Sequence, residues 1–185
     1  MKRILLALLA IALPASVGFA ANDSQPYAGL DARGIKALSP ARIDGLLSGK
    51  GLSYALAAEL NGLPGPRHVL DMAPKLGLDA VTVQQVEAIF ARMNGAARQL
   101  GAEMVEAEAG LEKAFASRQA TAEEIERLTA EIAAIEGRLR SVHLVAHLET
   151  EPLLTQHQKH LYAAERGYAG RPAGSRRGPG HEHQD

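Results

Sequence analysis

The stretch TVQQVEAIFARMNGAARQLGAEMVEAEAGLEKAF, residues 82–115, decides the fold. Its apolar residues recur at alternating steps of three and four, the heptad spacing of a helix that buries one stripe against a partner. This seam consists of Val83, Val86, Phe90, Met93, Ala97, Leu100, Met104, Ala107 and Leu111, and Phe115 continues it after a further step of four. The stretch is therefore predicted to form one long helix, roughly 50 Å in length at about 1.5 Å per residue.

The same spacing restarts in TAEEIERLTAEIAAIEGRLRSVHLVA, residues 121–146. The second seam consists of Ile125, Leu128, Ile132, Ile135, Leu139, Val142 and Ala146. Two long helices joined by a short connection predict an antiparallel helical hairpin. Each helix buries only one stripe, so the flanks need cover from the N-terminal helices, a second copy of the chain or a client protein.

The composition agrees with an all-α protein. The chain has 185 residues, no Cys, no Trp and 4% aromatic residues. The lack of Cys excludes disulfide frameworks, thiolate metal sites and Cys nucleophiles. Few aromatic residues argue against a β-sandwich or barrel, whereas abundant Ala and Leu favour helices. The predicted fold is a long antiparallel helical hairpin with short N-terminal helices.

Residues 1–20 have the features of a cleavable secretory signal peptide. Lys2 and Arg3 precede an apolar run over residues 4–13, and small residues follow up to Ala20. The apolar run is short for a bilayer span, so we expect periplasmic localisation with no stable membrane span after cleavage. An uncleaved N-terminal anchor is the alternative. Export also removes nucleic acid from the expected partners.

The rest of the chain divides into three parts. They are an N-terminal helical region of unknown role, residues 21–75; the hairpin domain, residues 76–168; and a tail rich in Gly, Pro, Arg and His, residues 169–185. Ser39 and Pro40 predict the start of the first short helix, because Ser is a good N-cap and Pro fits the first helical position. Pro152 ends the second long helix. The tail composition predicts disorder.

Three helix starts carry a Thr with Gln or Glu three residues later, the pattern of a capping box. The pairs are Thr82 with Gln85, Thr121 with Glu124, and Thr155 with Gln158. Leu154 precedes the last pair and completes a Leu-Thr-x-x-Gln motif, and Val81 takes the place of Leu before the first pair. An antiparallel hairpin brings these two motifs close together.

Paired motifs of this kind, flanking a helical hairpin in a small exported protein, resemble the Spy/CpxP family. That family includes periplasmic refolding chaperones, envelope-stress regulators and heavy-metal sensor or resistance proteins. The resemblance covers residues 76–162 and implies a homodimer whose helical cradle binds unfolded or envelope proteins without ATP or a required cofactor. It also implies a structural role, holding the hairpin ends together, for Thr82, Gln85, Leu154, Thr155 and Gln158.

The sequence departs from this family in two ways. Residues 21–75 are an added region, and the hairpin is acidic, with 11 Asp or Glu against 7 Lys or Arg over residues 81–150. An acidic surface favours basic or neutral clients, or cations. Client contacts are assigned to Phe90, Met93 and Met104, with burial in the core as the alternative.

The histidines suggest a second function, a metal sensor or resistance protein. His143 and His147 share a helix face, and His157 and His160 follow just after the Pro152 turn. With a carboxylate from Glu136 or Glu151, these imidazoles could bind Zn, Cu or Ni. The alternative is that they are solvated polar residues beside the seam.

No sequence motif supports an enzyme. The chain has no nucleophile elbow, P-loop, dinucleotide fingerprint or His-Glu-x-x-His pair. A long narrow hairpin also offers little room for a buried active site. A non-enzymatic binding protein is therefore expected.

Overall fold

The computed structural model describes residues 26–168, and every regular element in this range is helical. The predicted signal peptide and the predicted tail lie outside the described residues. The helices are α1 (Pro40–Leu47), α2 (Leu56–Glu59), α3 (Pro66–Asp71), α4 (Ala73–Leu76), α5 (Ala80–Ala116), α6 (Ala122–Thr150) and α7 (Gln156–Glu165), with 3-10 turns at Leu30–Ala32 and Glu151–Leu153. None of the helices in this range is both long enough and apolar enough to cross a membrane.

The predicted pair of long helices is confirmed, because α5 and α6 pack against each other along their heptad seams. Ala97, Leu100 and Met104 of α5 are buried in one cluster with Ile135 and Leu139 of α6. Helix α5 has 37 residues and α6 has 29. The burial of both seams is what holds the two helices side by side.

The N-caps agree with the sequence at two of the three predicted positions. Thr155 and Gln158 form a complete capping box, in which the Gln158 N–H donates to Thr155 Oγ1 at 3.2 Å and the Thr155 N–H donates to Gln158 Oε1 at 2.9 Å. At the start of α6, Thr121 accepts from the N–H of Glu124, but Glu124 does not accept from the Thr121 N–H in return, so only half of the predicted capping box is present there.

The predicted capping box at Thr82 is wrong. Helix α5 begins two residues earlier, and the N–H of Thr82 donates to Asp79 Oδ1 at 2.7 Å. A carboxylate is a strong N-cap acceptor and its charge is favourable at the positive end of the helix dipole. Asp79 therefore starts the helix, and Thr82 lies within its first turn.

The two ends of the hairpin meet in a second apolar cluster. Leu154 is buried there with Val86 of α5, Val69 of α3, Leu76 of α4 and Tyr162 of α7. Val81, which replaces Leu in the first motif, is instead 65% exposed. Only one of the two motifs thus supplies its aliphatic residue to this cluster.

The N-terminal region packs onto the hairpin and shares its core. Helix α1 lies against α5, with Leu46 1% exposed. A Cβ added at Gly101 would overlap the Leu46 carbonyl oxygen and lie 2.6 Å from its carbonyl carbon. Close contact between the two backbones therefore requires glycine at this position of α5.

Replacing Gly101 with Ala should destabilise the protein by about 1–3 kcal/mol, because the added methyl group forces α1 away from α5. Gly95 is a matched control on the same helix, since a Cβ there meets nothing within 4 Å. Gly95→Ala should be neutral or stabilising by up to about 1 kcal/mol, from helix propensity alone. Urea unfolding of both variants measures the difference, and equal stabilities would contradict the close contact.

Candidate functional site

A cavity of about 600 Å³ lies where the N-terminal region meets the hairpin. Its walls come from the segment 48–68, from Phe90 and Met93 of α5, and from His143 and His147 of α6. Arg166 and Tyr168, which follow α7, complete the lining. The cavity therefore exists only because distant parts of the chain fold together, and its polar residues are the candidate site.

Glu59 is the buried charged residue of this site, with only 7% of its surface exposed. Its Oε1 accepts from Tyr162 Oη at 2.6 Å, from Arg166 Nε at 3.1 Å and from Tyr168 Oη at 3.2 Å. A buried carboxylate is tolerated when a cation and hydrogen-bond donors compensate its lost hydration. Glu59 thereby links α2 to the C-terminal end of α7.

The Tyr162 hydroxyl stays protonated in this environment. Burial, followed by the hydrogen bond to the Glu59 carboxylate, raises the pKa of Tyr162 well above its usual value. A protonated hydroxyl can donate to Glu59 at all physiological pH values. Tyr162 is therefore a permanent donor to the buried carboxylate.

His147 is buried beneath the N-terminal region. Its Nδ1 lies 2.7 Å from the carbonyl oxygen of Leu63, so Nδ1 carries the hydrogen and donates it. A Cβ at Gly65 would lie 2.6 Å from His147 Nε2, which shows how closely the backbone covers the ring. The same Nδ1 is 3.8 Å from Glu59 Oε2, beyond hydrogen-bond distance.

His143 lies one turn earlier on α6 and is 3% exposed. Its ring stacks on Tyr54, with 5.8 Å between the ring centroids and an angle of 16° between the planes. Burial, with a smaller effect of the nearby His147, lowers the pKa of His143 below its ordinary value. His143 is therefore neutral, and its Nε2 has no hydrogen-bond partner among the described residues.

The structure separates the four histidines predicted to bind metal into two environments. His143 and His147 are buried on α6, whereas His157 and His160 are exposed on α7. Residues 26–168 contain no group of three or more His, Asp or Glu placed to hold a metal ion. The candidate carboxylates pair elsewhere, Glu136 with Arg42 and Glu151 with Lys159. Binding of Zn, Cu or Ni stays a prediction.

The residues assigned to client contacts are packed rather than free. Met93 and Met104 are 9% and 4% exposed, in the core of the hairpin. Phe90 is half-buried and lines the cavity, with the Arg67 guanidinium 5.7 Å from its ring centroid. Met93 and Met104 thus take the core placement that the sequence left open as the alternative, whereas Phe90 faces the cavity.

Sequence reasoning missed Glu59 and its partners on α7. The only signal was an acidic residue inside the apolar run Leu56-Ala57-Ala58-Glu59-Leu60. Its partners Tyr162 and Arg166 are more than 100 residues away along the chain. No local pattern connects them.

No protein-family model, curated protein or solved structure matches the chain. The resemblance to the Spy/CpxP family therefore depends on the motifs described above and stays a prediction.

The buried His143 and the half-buried His68 predict that the protein loses stability as the pH falls. The pKa values of His143 and His68 are both lowered from 6.5 in the folded chain, mainly by burial. Between about pH 7 and pH 5, the unfolded chain thus binds protons that the folded chain does not, so the free energy of unfolding decreases.

His143→Gln should reduce this pH dependence, and the remaining slope should come in part from His68. His157→Gln is the control, because His157 is exposed. Urea unfolding across the pH range gives the slopes. If His143→Gln keeps the slope of the unmodified protein, burial of a neutral His143 is contradicted.

Proposed function

We propose that this protein is a periplasmic, ATP-independent chaperone or envelope-stress adaptor, and not an enzyme. It acts as a homodimer and binds unfolded or partner proteins on its helical surface. The observation that supports this proposal is the set of large apolar side chains left exposed on several helices. Those on the described helices are Leu47, Leu56, Leu60, Val81, Phe115, Val145 and Leu148.

The outer face of α6 supports the homodimer. We call outer seam the residues Ala130, Ala134, Gly137, Ser141, Leu144 and Leu148. Each follows a residue of the buried seam by two positions, which is about 200° around the helix and so on its opposite side. All are exposed except Leu144, which is half-buried. The outer seam has heptad spacing, and a helix with two such seams can pack on two partners.

The outer seam is complementary to itself in an antiparallel arrangement. Its small residues precede its large ones along the chain, so Ala134 of one copy would face Leu144 of the other. Likewise Ala130 would face Leu148. Gly137 at the middle of the seam meets nothing within 4 Å in the single chain, which leaves room for a second helix. Alternating small and large side chains favour close packing of this kind.

The exposed leucines of α2 support binding of a client. Leu56 and Leu60 are 51% and 56% exposed and, four residues apart, lie on the same side of this short segment. Adjacent exposed apolar side chains of this size are typical of surfaces that contact other proteins. They lie outside the outer seam, so a dimer would keep them available.

The purified protein without residues 1–20 should suppress aggregation of an unfolded client without ATP, at several-fold molar excess. Leu56→Ser with Leu60→Ser should weaken suppression because these changes remove the exposed apolar side chains of α2. Ala57→Ser is the control, because Ala57 is exposed on α2 and has no large apolar side chain. Light scattering measures the aggregation of the client. If the unmodified protein does not suppress it, the proposal is contradicted.

The protein should sediment as a dimer, and Ala134→Glu should shift it to a monomer by placing a charge in the outer seam. Ala91→Glu is the control, since Ala91 is exposed on α5, away from that seam. Circular dichroism should show the same helix content for all three proteins. A monomeric unmodified protein at all concentrations tested would contradict the dimer and leave client binding to be judged by the aggregation assay.

A further inference from the structure

Two buried polar atoms at the cavity lack hydrogen-bond partners among the described residues. They are Glu59 Oε2 and His143 Nε2. Both residues line the cavity, and they are 7% and 3% exposed. Buried polar groups in native proteins are nearly always paired, because an unpaired one costs about 1–3 kcal/mol. A molecule bound in the cavity would supply the missing partners.

The residues that line the cavity indicate the chemical character of the main part of that molecule. Leu52, Leu56, Pro66, Phe90 and Met93 give it a largely apolar lining. The volume of about 600 Å³ lies within the range of small-molecule sites, which combine apolar walls with a few placed polar groups. A flat apolar body such as an aromatic ring system fits these walls.

The charges around the cavity exclude a strongly charged head group. The negative charge of Glu59 is already balanced by Arg166, at 3.1 Å. Lys50 and Arg67 also line the cavity, paired with Asp44 and Asp71, and Glu59 is the only carboxylate among the described lining residues, so a cationic head would have to compete with Arg166 for it. An anionic head would meet the unpaired oxygen of Glu59. A neutral hydrogen-bond donor avoids both conflicts.

We propose that the cavity binds small uncharged aromatic alcohols. The hydroxyl group donates to Glu59 Oε2, and the ring system lies against Phe90 and Met93. The neutral imidazole of His143 is available to a second polar group of the ligand. This small-molecule site shares one residue, Leu56, with the client surface proposed above, and the probes and variants below test it separately from client binding.

A matched pair of probes tests the hydroxyl contact. 2-Naphthol and 2-methoxynaphthalene share the ring system, but the methyl ether has no hydrogen to donate. Calorimetric or fluorescence titration of the native protein should give a dissociation constant about tenfold lower for 2-naphthol. Equal affinities would overturn the donor role of the hydroxyl. No binding of either probe would show that only solvent enters the cavity and would overturn the site.

A pair of variants tests the location. Ala55 lines the cavity and is half-buried, whereas Ala57 is exposed on α2 and does not line it. Ala55→Trp should fill part of the cavity and abolish 2-naphthol binding, and Ala57→Trp should retain it. Unchanged binding by a folded Ala55→Trp protein would overturn this location.

Histidine resonances give a readout that needs no variant. Adding 2-naphthol to the native protein should shift the imidazole nitrogen signals of His143 and His147, which line the cavity. The signals of His157 and His160 on α7 should stay unchanged. Shifts of the α7 histidines alone would place the probe elsewhere and contradict the proposal.

Discussion

The arrangement of the N-terminal region depends on how the carboxylate of Glu59 is buried. Helix α2 packs on α6 with this carboxylate facing inward, 7% exposed. Taking a charged group out of water costs several kcal/mol unless a cation and donors replace the lost hydration. Tyr162 of α7 and Arg166, which directly follows α7, supply that replacement from the part of the chain that comes after the hairpin. The N-terminal region can therefore cover α6 here only when the chain after the hairpin returns to meet it.

The hairpin could be predicted because its information is local and repeated. Heptad spacing over 34 residues of the first stretch leaves little ambiguity about a helix or about its buried side. The start of α5 was harder to predict, because Asp79 and Thr82 are both good N-cap residues and the sequence does not show which of them caps the helix. The short helices carried still less signal, and α2 has only 4 residues. Such segments take their structure from tertiary packing, which the sequence does not display.

The histidines of the candidate site could also be predicted only in part. Helical spacing correctly places His143 and His147 near each other, but it says nothing about what covers them. The covering group is the backbone around Gly65, whose missing side chain leaves room for the His147 ring. Tyr54 covers His143 by stacking on its ring. Both contacts join residues about 80 or more positions apart, so spacing alone could suggest metal ligands but could not predict that the two imidazoles are buried.

The N-terminal region also decides which apolar surfaces of the hairpin stay uncovered. It covers part of α5 and one side of α6, and Met93 and Met104 are buried within the resulting core. A hairpin without this region would expose more of its apolar surface to solvent. Here the uncovered apolar surface includes the outer seam of α6 and Leu56 and Leu60 of the N-terminal region. The N-terminal region therefore covers one apolar surface of the hairpin and presents exposed leucines of its own. It also forms one wall of the cavity, with α5 and α6 forming another.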